Sequence, residues 1–395
     1  MNRFNPFNGR PLLGFGTSLF AAIVLSGCGG SSSSDSTTPL ADSSSVGVIA
    51  TASSDFESGA VELVDLNASD LTATGGFFAT LSDIAVVGGE QHYYRLGRFG
   101  IDTVQKVDVE NPAIEEWQYS TLVAGEEGSG NPQDLVIASP TKAYLLRYDK
   151  SEALIVNPSA TRQEDFVTGE LDLSAYTPAN GNLPGMVKGL IVEGKLFVAM
   201  QRLDSDFNPS NDSYVAVFNI TNDKELETGQ GTGDIKGIPL VGRNPGTVTY
   251  HPQLGIVVQS VGQYFPQKFT GGIDTIDPET FAVKQLVDDT EETGQISGLA
   301  IASETQGYFI SYAGWLNTSI VPFDPSTGDV SEAVNQLSGG DFRAIDVSPA
   351  GNLWVADANA SAPGVRVIDT ADNSQIHFIR TDLLPNGFAF VTNGN

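Results

Sequence analysis

Short apolar runs recur along the chain at a nearly constant spacing. Each run holds four or five residues, and a turn then leads into a second apolar run. Seven of these runs begin at residues 83, 134, 189, 247, 298, 344 and 387, with a mean step of about 51 residues. Repeats of this length built from short strands are typical of β-propeller blades, whereas the rungs of a β-solenoid, the alternative architecture, are shorter.

A second set of repeats has the same period. Here a pair of residues that ends in an apolar residue is followed by Asp or Asn and then by a turn. The Asp or Asn stands at 65, 108, 157, 219, 277, 324 and 369. The turns between runs carry residues such as Asp277-Pro278 and Pro349-Ala350-Gly351, and no helical periodicity interrupts them. The two interleaved sets predict an all-β, seven-bladed propeller with four-stranded blades.

The first and last repeats are each incomplete. The first copy begins at Gly47-Val48-Ile49-Ala50-Thr51 without an opening strand, and the last copy, 387–391, has nothing after its opening strand. Together they make one blade. We therefore expect the C-terminal strand to pair with N-terminal strands and close the ring, which leaves no open sheet edge.

An apolar run from Leu12 to Leu25 follows Arg3 and Arg10 and ends in Leu25-Ser26-Gly27-Cys28. Its length suits the core of a signal peptide better than a bilayer span. Its end resembles the lipobox of bacterial lipoproteins, in which cleavage leaves the Cys as the lipid attachment point; the alternative is an ordinary signal peptide with a chance Cys. We expect a leader over 1–27, a Gly/Ser-rich tether over 28–45 and a propeller over 46–395.

The expected location follows from the residue after the Cys. Gly29 stands where lipoproteins retained in the inner membrane usually carry Asp, and this resemblance implies an outer-membrane lipoprotein of the bacterial cell envelope, facing the periplasm or the surface. The lipid anchor is then the only expected contact with the membrane. Lys and Arg number 20 against 48 Asp and Glu, so the chain repels phosphate backbones and nucleic acid is not an expected partner.

The repeat of Val, Asp and a turn resembles the YVTN-type surface propellers of bacteria. Two stretches, 131–148 with Lys142-Ala143-Tyr144-Leu145-Leu146-Arg147-Tyr148 and 195–204 with Lys195-Leu196-Phe197-Val198-Ala199-Met200, look like a subgroup of lipid-anchored seven-bladed propellers. That subgroup includes surface lipoproteins that capture cobalamin. The resemblance covers roughly 46–395 for the fold and is close only in these stretches, so it implies a binding protein without fixing the ligand.

Cations and aromatic residues fall in loops that a propeller places around its channel mouth. The loop before each innermost strand and the loop between the second and third strands open on the same face. Arginine offers bidentate donors, and aromatic rings offer flat apolar area. The candidate ligand-binding residues are Arg95, Arg98, Phe99, Arg147, Tyr148, Lys188, Arg202, Arg243, Tyr264, Tyr312, Trp315 and Arg343.

Such a mouth predicts a small anionic or aromatic ligand, of the ferric siderophore or corrinoid class, which an outer-membrane transporter would then receive. The alternative is that the cations form structural salt bridges between blades. Their partners would then be Asp83, Asp134, Asp149 and Asp204.

The loop at 204–212 places oxygen ligands on alternate residues, as calcium loops do. The candidate ligands are Asp204, Asp206, Asn208 and Asp212, and Ca²⁺ is the one cofactor that the sequence suggests. However, Pro209 stands where an EF-hand loop has Gly, and no Glu closes the loop. A solvated turn with Asx hydrogen bonds is the alternative.

Enzyme signatures are scarce in the sequence. It contains no G-x-S-x-G elbow and no P-loop, and the three histidines, His92, His251 and His377, are predicted to lie away from the mouth. We therefore expect a binding protein and not an enzyme. Three alternatives stay open: a protein-interaction scaffold in an envelope complex, a carboxylate or Ca²⁺-dependent hydrolase such as a lactonase acting through Asp83 and Asp134, and a propeller that has lost its function.

Overall fold

A computed structural model describes residues 45–392 as 28 strands and three short 3₁₀ segments. The strands form seven antiparallel sheets, and the innermost strand of each sheet contacts the innermost strands of the two neighbouring sheets around a closed ring. The predicted seven-bladed propeller is confirmed. The expected leader over 1–27 and the acylation site at Cys28 lie outside the described residues. In the described part, no helix has the length and apolar character to cross a bilayer.

The blades are numbered in ring order, and their strands are given from the innermost outward. Blade 1 contains β28 (Leu384–Thr392), β1 (Ser45–Ala52), β2 (Gly59–Asp65) and β3 (Ala73–Thr80). Blade 2 contains β4 (Ile84–Gly88), β5 (His92–Gly97), β6 (Thr103–Asp108) and β7 (Glu115–Ser120). Blade 3 contains β8 (Pro132–Ser139), β9 (Lys142–Arg147), β10 (Glu152–Val156) and β11 (Val167–Asp172).

The other four blades continue the ring. Blade 4 contains β12 (Met186–Val192), β13 (Lys195–Met200), β14 (Tyr214–Asn219), and the two-residue strands β15 (Lys224–Glu225) and β16 (Ile238–Pro239). Blade 5 contains β17 (Pro245–His251), β18 (Gly255–Ser260), β19 (Gly272–Ile276) and β20 (Val283–Val287). Blade 6 contains β21 (Gln295–Ser303), β22 (Gln306–Tyr312) and β23 (Thr318–Phe323). Blade 7 contains β24 (Phe342–Val347), β25 (Leu353–Asp357), β26 (Gly364–Ile368) and β27 (Gln375–Arg380).

Both sequence repeats correspond to fixed positions in the blades. The first set lies on the seven innermost strands, and the second set lies at the ends of the seven third strands, where Asp or Asn begins the next turn. Blade 6 departs from the four-stranded pattern. Its outermost position holds an isolated bridge between Phe323 and Val330 in place of a fourth strand.

The ring closes in blade 1, as the incomplete repeats predict. β28 pairs with β1 antiparallel from Ser45 opposite Thr392 to Ala52 opposite Leu384. At the adjoining junction, Trp354 of blade 7 is 1% exposed, and its ring meets Phe388 and Phe390 of β28 edge-on at 5.8 and 5.2 Å. Gly47 packs against the same indole, so closely that a Cβ would lie 2.7 Å from a ring carbon.

Each blade is preceded by a loop that we call its lead-in loop, which follows the outermost strand of the blade before. In blade 1, the buried Glu62 of β2 accepts a hydrogen bond of 3.0 Å from the backbone N–H of Asp382, in the lead-in loop just before β28. Burial raises the pKa of Glu62 to about 7, and the charge of Asp382 acts in the same direction. The carboxyl group of Glu62 therefore joins the third strand of blade 1 to the loop that leads into β28.

We expect Glu62 to make the protein less stable as pH rises. Its pKa is higher in the folded chain than in the unfolded chain, so its contribution is complete below about pH 4.5 and is lost as pH rises toward about 7. The loss in the free energy of unfolding is up to about 3 kcal/mol. Glu62→Gln removes this titration. Urea unfolding of both proteins from pH 4 to 8 should show a flatter profile for the variant, and parallel profiles would contradict the assignment.

Candidate functional site

The candidate site is the face on which the lead-in loops and the loops between second and third strands (the 2–3 loops) open. We call it the mouth face. At the residue that follows the second strand, the backbone N–H repeatedly donates to the lead-in loop of the same blade, as from Arg98 to Asp83, from Tyr148 to Asn131 and from Gln201 to Gly185. Their side chains thus start from equivalent positions around the channel.

Those side chains reach across to the next blade and form a polar collar. Arg98 of blade 2 donates to Gln133 of blade 3 at 3.2 Å, and the hydroxyl of Tyr148 of blade 3 donates to Gln201 of blade 4 at 2.8 Å. Gln201 in turn donates to the carbonyl of Pro245 in blade 5 at 3.1 Å. Burial raises the pKa of Tyr148, so its phenol stays a donor. This part of the collar is made of amides, a phenol and one guanidinium group.

Aromatic side chains continue the collar over blades 5 and 6. The rings of Tyr264 and Tyr312 meet edge-on with centroids 5.0 Å apart, and burial raises the pKa of both. In the 2–3 loops of the same two blades, Phe265 is 88% exposed and Trp315 is 59% exposed. Blades 5 and 6 therefore present an aromatic wall on the mouth face.

Arg343 closes the collar between blades 7 and 1. Its guanidinium group forms a salt bridge of 2.8 Å with Asp341, donates to Asn386 at 3.0 Å and lies over the ring of Phe56 at 5.4 Å. The positive charge of Arg343 is thus balanced by the carboxylate of Asp341, which lies in the lead-in loop of the same blade.

Three of the candidate arginines are buried between loops and strands. Arg147 is 1% exposed and binds the carboxylate of Glu126 at 2.7 Å and the carbonyl of Thr121 at 3.2 Å. Both partners lie in the lead-in loop of blade 3. A ligand at the mouth does not reach this guanidinium group in the described structure.

Arg202 and Arg95 hold backbone carbonyls in the same way. Arg202 donates to the carbonyls of Tyr176 and Asp212 at 2.7 and 2.6 Å and stacks on Tyr214 at 4.8 Å. Arg95 lies inside β5 and donates to the carbonyl of Phe78, on the outermost strand of blade 1. For these arginines, the structure favours the alternative in which they hold neighbouring elements together.

The two remaining candidate cations also have acidic partners. Arg243 binds Asp212 at 2.8 Å across blades 4 and 5, and Lys188, on the innermost strand of blade 4, binds Asp134 at 3.0 Å. Desolvation by the surrounding protein raises the pKa of Asp346, on the innermost strand of blade 7, to about 6, and the charge of Lys188 acts against this shift. Lys188 thus acts on two carboxylates of innermost strands, those of Asp134 and Asp346.

The acidic pair of the hydrolase alternative is not gathered into one centre. Asp83 is bound to Arg98 at 2.7 Å, and Asp134 is bound to Lys188 and to the backbone N–H of Gly189. Each carboxylate thus has a cation of its own. No observation in residues 45–392 points to a shared metal between them.

The suggested calcium loop is an Asx-type turn. Asp204 accepts hydrogen bonds from the backbone N–H groups of Asp206 and Asn208 at 3.0 and 2.9 Å and from the hydroxyl of Ser210 at 2.9 Å, whereas Asp212 binds Arg243. The oxygens of Asp204 therefore serve the loop itself. This geometry favours the solvated-turn alternative.

A group of His92, Asp108 and Glu116 does converge, but on strands of blade 2 and outside the mouth-face loops. Their ligand atoms lie within 4.8 Å of one another. Glu116 is bound by the imidazole of His92 and by the ammonium group of Lys106, both at 2.9 Å. Ion pairing accounts for this group.

Exposed apolar side chains are concentrated on the mouth face. In residues 45–392, eight of the twelve large apolar side chains that remain exposed lie in lead-in loops or 2–3 loops. They are Leu81, Phe99, Val123, Phe207, Val241, Phe265, Trp315 and Leu316. Single exposed apolar residues are ordinary, but their collection on one face marks an interaction surface.

Sequence reasoning found the aromatic residues of the mouth and missed its amides. Gln133, Gln201 and Asn386 carry no motif, because an amide becomes a collar residue only through its place at the mouth-face end of a strand. The equivalent position after each second strand was the available signal for Gln201.

The comparisons with known proteins identify a fold and no family. No protein-family model matches the chain, and no curated protein sequence matches it. Solved structures are similar in shape. A candidate 6-phosphogluconolactonase of Bacteroides uniformis has a TM-score of 0.61 at 12% identity, over 88% of this chain and 99% of that one.

Two further solved structures of similar shape are proteins of different kinds. Apo AztD of Citrobacter koseri has a TM-score of 0.52 at 12% identity, over 88% of this chain and 98% of that one. Hydrazine synthase of Kuenenia stuttgartiensis has a TM-score of 0.54 at 15% identity, over 85% of this chain and 95% of that one. At such identities the likeness establishes the propeller and leaves the activity undecided.

The buried position of Arg147 leads to a prediction about stability. Arg147→Met should lower the free energy of unfolding by about 2 kcal/mol, because it takes the guanidinium donor away from the carbonyl of the buried Thr121 and the cation away from the partly exposed Glu126. Arg98→Met removes a more exposed arginine of the collar and should cost about 1 kcal/mol or less. Urea unfolding measures both. Equal losses would show that Arg147 is not the structural residue that its burial indicates.

Proposed function

We propose that this propeller is a binding protein that holds a small, flat, largely uncharged ligand at its mouth. The observation that carries the proposal is the collection of exposed apolar side chains on the mouth face, among them Phe265 and Trp315 in the same loops and blades as the ring pair of Tyr264 and Tyr312. Aromatic side chains bind flat ligands at a small cost in conformational entropy. Ligand binding by stacking needs no free charge.

The state of the cations supports an uncharged ligand over an anionic one. Of the seven candidate cations, Arg98, Arg147, Lys188, Arg243 and Arg343 are bound to carboxylates, and Arg95 and Arg202 to carbonyls. A multiply charged ferric catecholate would have to compete for these groups. A corrinoid has a flat macrocycle with amides at its rim, and the amides of Gln133, Gln201 and Asn386 can exchange hydrogen bonds with such a rim. The corrinoid class is therefore the better fit.

Transport is the proposed role of this binding. With a lipid anchor at Cys28, the domain would stay at the outer membrane of the cell envelope, and the captured ligand would pass to a membrane transporter. Stacking and hydrogen bonding suit such a transfer, because the ligand leaves without any covalent step.

A second candidate is a scaffold that docks a protein on the same face. The observation that favours it is the spread of the exposed apolar residues over the loops of several blades, from Leu81 beside blade 1 to Leu316 in blade 6. A small ligand would cover only the central part of this surface.

We expect the aromatic wall to carry the affinity for a corrinoid. With cyanocobalamin as the probe in calorimetric titrations, Trp315→Ala and Tyr312→Ala should each weaken binding about tenfold, because each removes a stacking surface. Ile376→Ala is the matched control, since Ile376 is also exposed but lies on an outermost strand. A wild-type chain that does not bind the probe, or three variants with unchanged affinity, would reject the proposal.

A further inference from the structure

Buried oxygen atoms without a hydrogen-bond partner are concentrated in and beside blade 5. Of the eight buried side-chain polar atoms without a partner in residues 45–392, five are oxygens there. They belong to Ser260, Thr270, Asp274, Asp289 and Gln295. Buried acceptors normally have a donor, a bound water or an ion, so this concentration needs an explanation.

Asp274 is the most unusual member of this set. It lies on β19, is 0% exposed and accepts hydrogen bonds of 2.9 Å at one oxygen, Oδ2, from the backbone N–H groups of Val241 and Gly242. Its other oxygen, Oδ1, has no partner. An ionised carboxylate that is half satisfied in the interior is costly unless a cation or a proton accompanies it.

No basic side chain supplies that cation. Arg243 directly follows Gly242, but its guanidinium group is turned to Asp212 at 2.8 Å and to the carbonyl of Ser210 at 3.3 Å. The charged group that acts on Asp274 is the carboxylate of Asp288, so in the described residues no positive side chain balances the charge of Asp274.

Two residues with unpartnered hydroxyl oxygens, Ser260 and Thr270, lie beside the same lead-in loop. Ser260 and Asp274 lie on adjacent strands and on the same face of the sheet, because Ser260 pairs with Gly272 and the side chain alternates every residue. A Cβ on Gly242 would lie 2.8 Å from Cβ and 3.1 Å from Oγ of Ser260. The carbonyl of Thr270 accepts from the backbone N–H of Arg243 at 2.8 Å, so Thr270 adjoins this loop as well.

We propose that Asp274, with the hydroxyl groups of Ser260 and Thr270, holds a hard divalent cation, for which Ca²⁺ is the probe. Carboxylate and hydroxyl oxygens are hard ligands, and backbone carbonyls and water complete the shell of such ions. Gly242 packs directly against Ser260, which leaves no room for a side chain at this position. Asp288, exposed beside Gly272, adds negative charge near the site.

The cation would join two loops that carry the mouth. Val241 and Gly242 belong to the lead-in loop of blade 5, whereas Thr270 belongs to the 2–3 loop that presents Tyr264 and Phe265. The site is separate from the suggested calcium loop at 204–212. Its occupation would fix the aromatic wall without contacting the ligand.

Calorimetric titration of the full chain with CaCl₂, after dialysis against EDTA, tests the site. We expect one Ca²⁺ per chain and an affinity at least about tenfold lower in Asp274→Asn, which keeps the shape of the side chain but removes its charge. Hydrogen exchange at residues 261–271 should slow with Ca²⁺ in the wild type only. If Asp274→Asn does not fold, Ser260→Ala is the variant to measure, and it should also weaken Ca²⁺ binding.

Two matched controls separate this site from other acids. Glu62→Gln alters a buried carboxylate on a third strand that also binds a lead-in loop, but neither of its oxygens is among the buried atoms without a hydrogen-bond partner. Asp204→Asn alters the suggested calcium loop at 204–212. Both should bind Ca²⁺ like the wild type. If the wild type binds no Ca²⁺, the proposal is overturned, and the unpartnered oxygens bind water or carry a proton instead. So does an unchanged affinity in Asp274→Asn or a loss confined to Asp204→Asn.

Discussion

Eight residue pairs hold β28 against β1, and every other part of the ring depends on this contact between the two ends of the described chain. Each blade buries both of its faces on neighbours, so a ring that opened at blade 1 would expose Trp354 and the apolar side chains around it. Pairing strands from opposite ends of a long chain is entropically unfavourable. The burial of a whole junction offsets that cost, and the pairing also covers the sheet edge that β1 would otherwise present.

Buried charges in this propeller mainly satisfy the backbone of the lead-in loops. These loops have no strand partner, so their peptide groups need side chains when they are covered. Arg147 and Arg202 bind carbonyls of the loops before blades 3 and 4, and Glu62 and Asp274 bind N–H groups of the loops before blades 1 and 5. The same structural requirement recurs in successive blades. It explains why these charged residues are buried beside the loops.

The architecture could be predicted from sequence because two independent features, the apolar run and the Asp or Asn at the turn, repeat once in every blade. The roles of individual side chains could not. Arg147 and Tyr148 are neighbours in the chain, yet one is buried against the lead-in loop and the other reaches the collar, because successive side chains of a strand point to opposite sides. Asp204 illustrates a second limit. Alternating oxygens predict a metal as readily as a turn, and only the positions of the backbone N–H groups distinguish the two.

The direction of β1 has a consequence for the orientation of the domain. β1 is a second strand, so it runs toward the mouth face, and Ser45 therefore lies at the opposite end of blade 1, beside Thr392. Any chain that precedes Ser45 leaves from that end. If Cys28 is acylated as proposed, the chain from the anchor joins the propeller on the face opposite the aromatic wall.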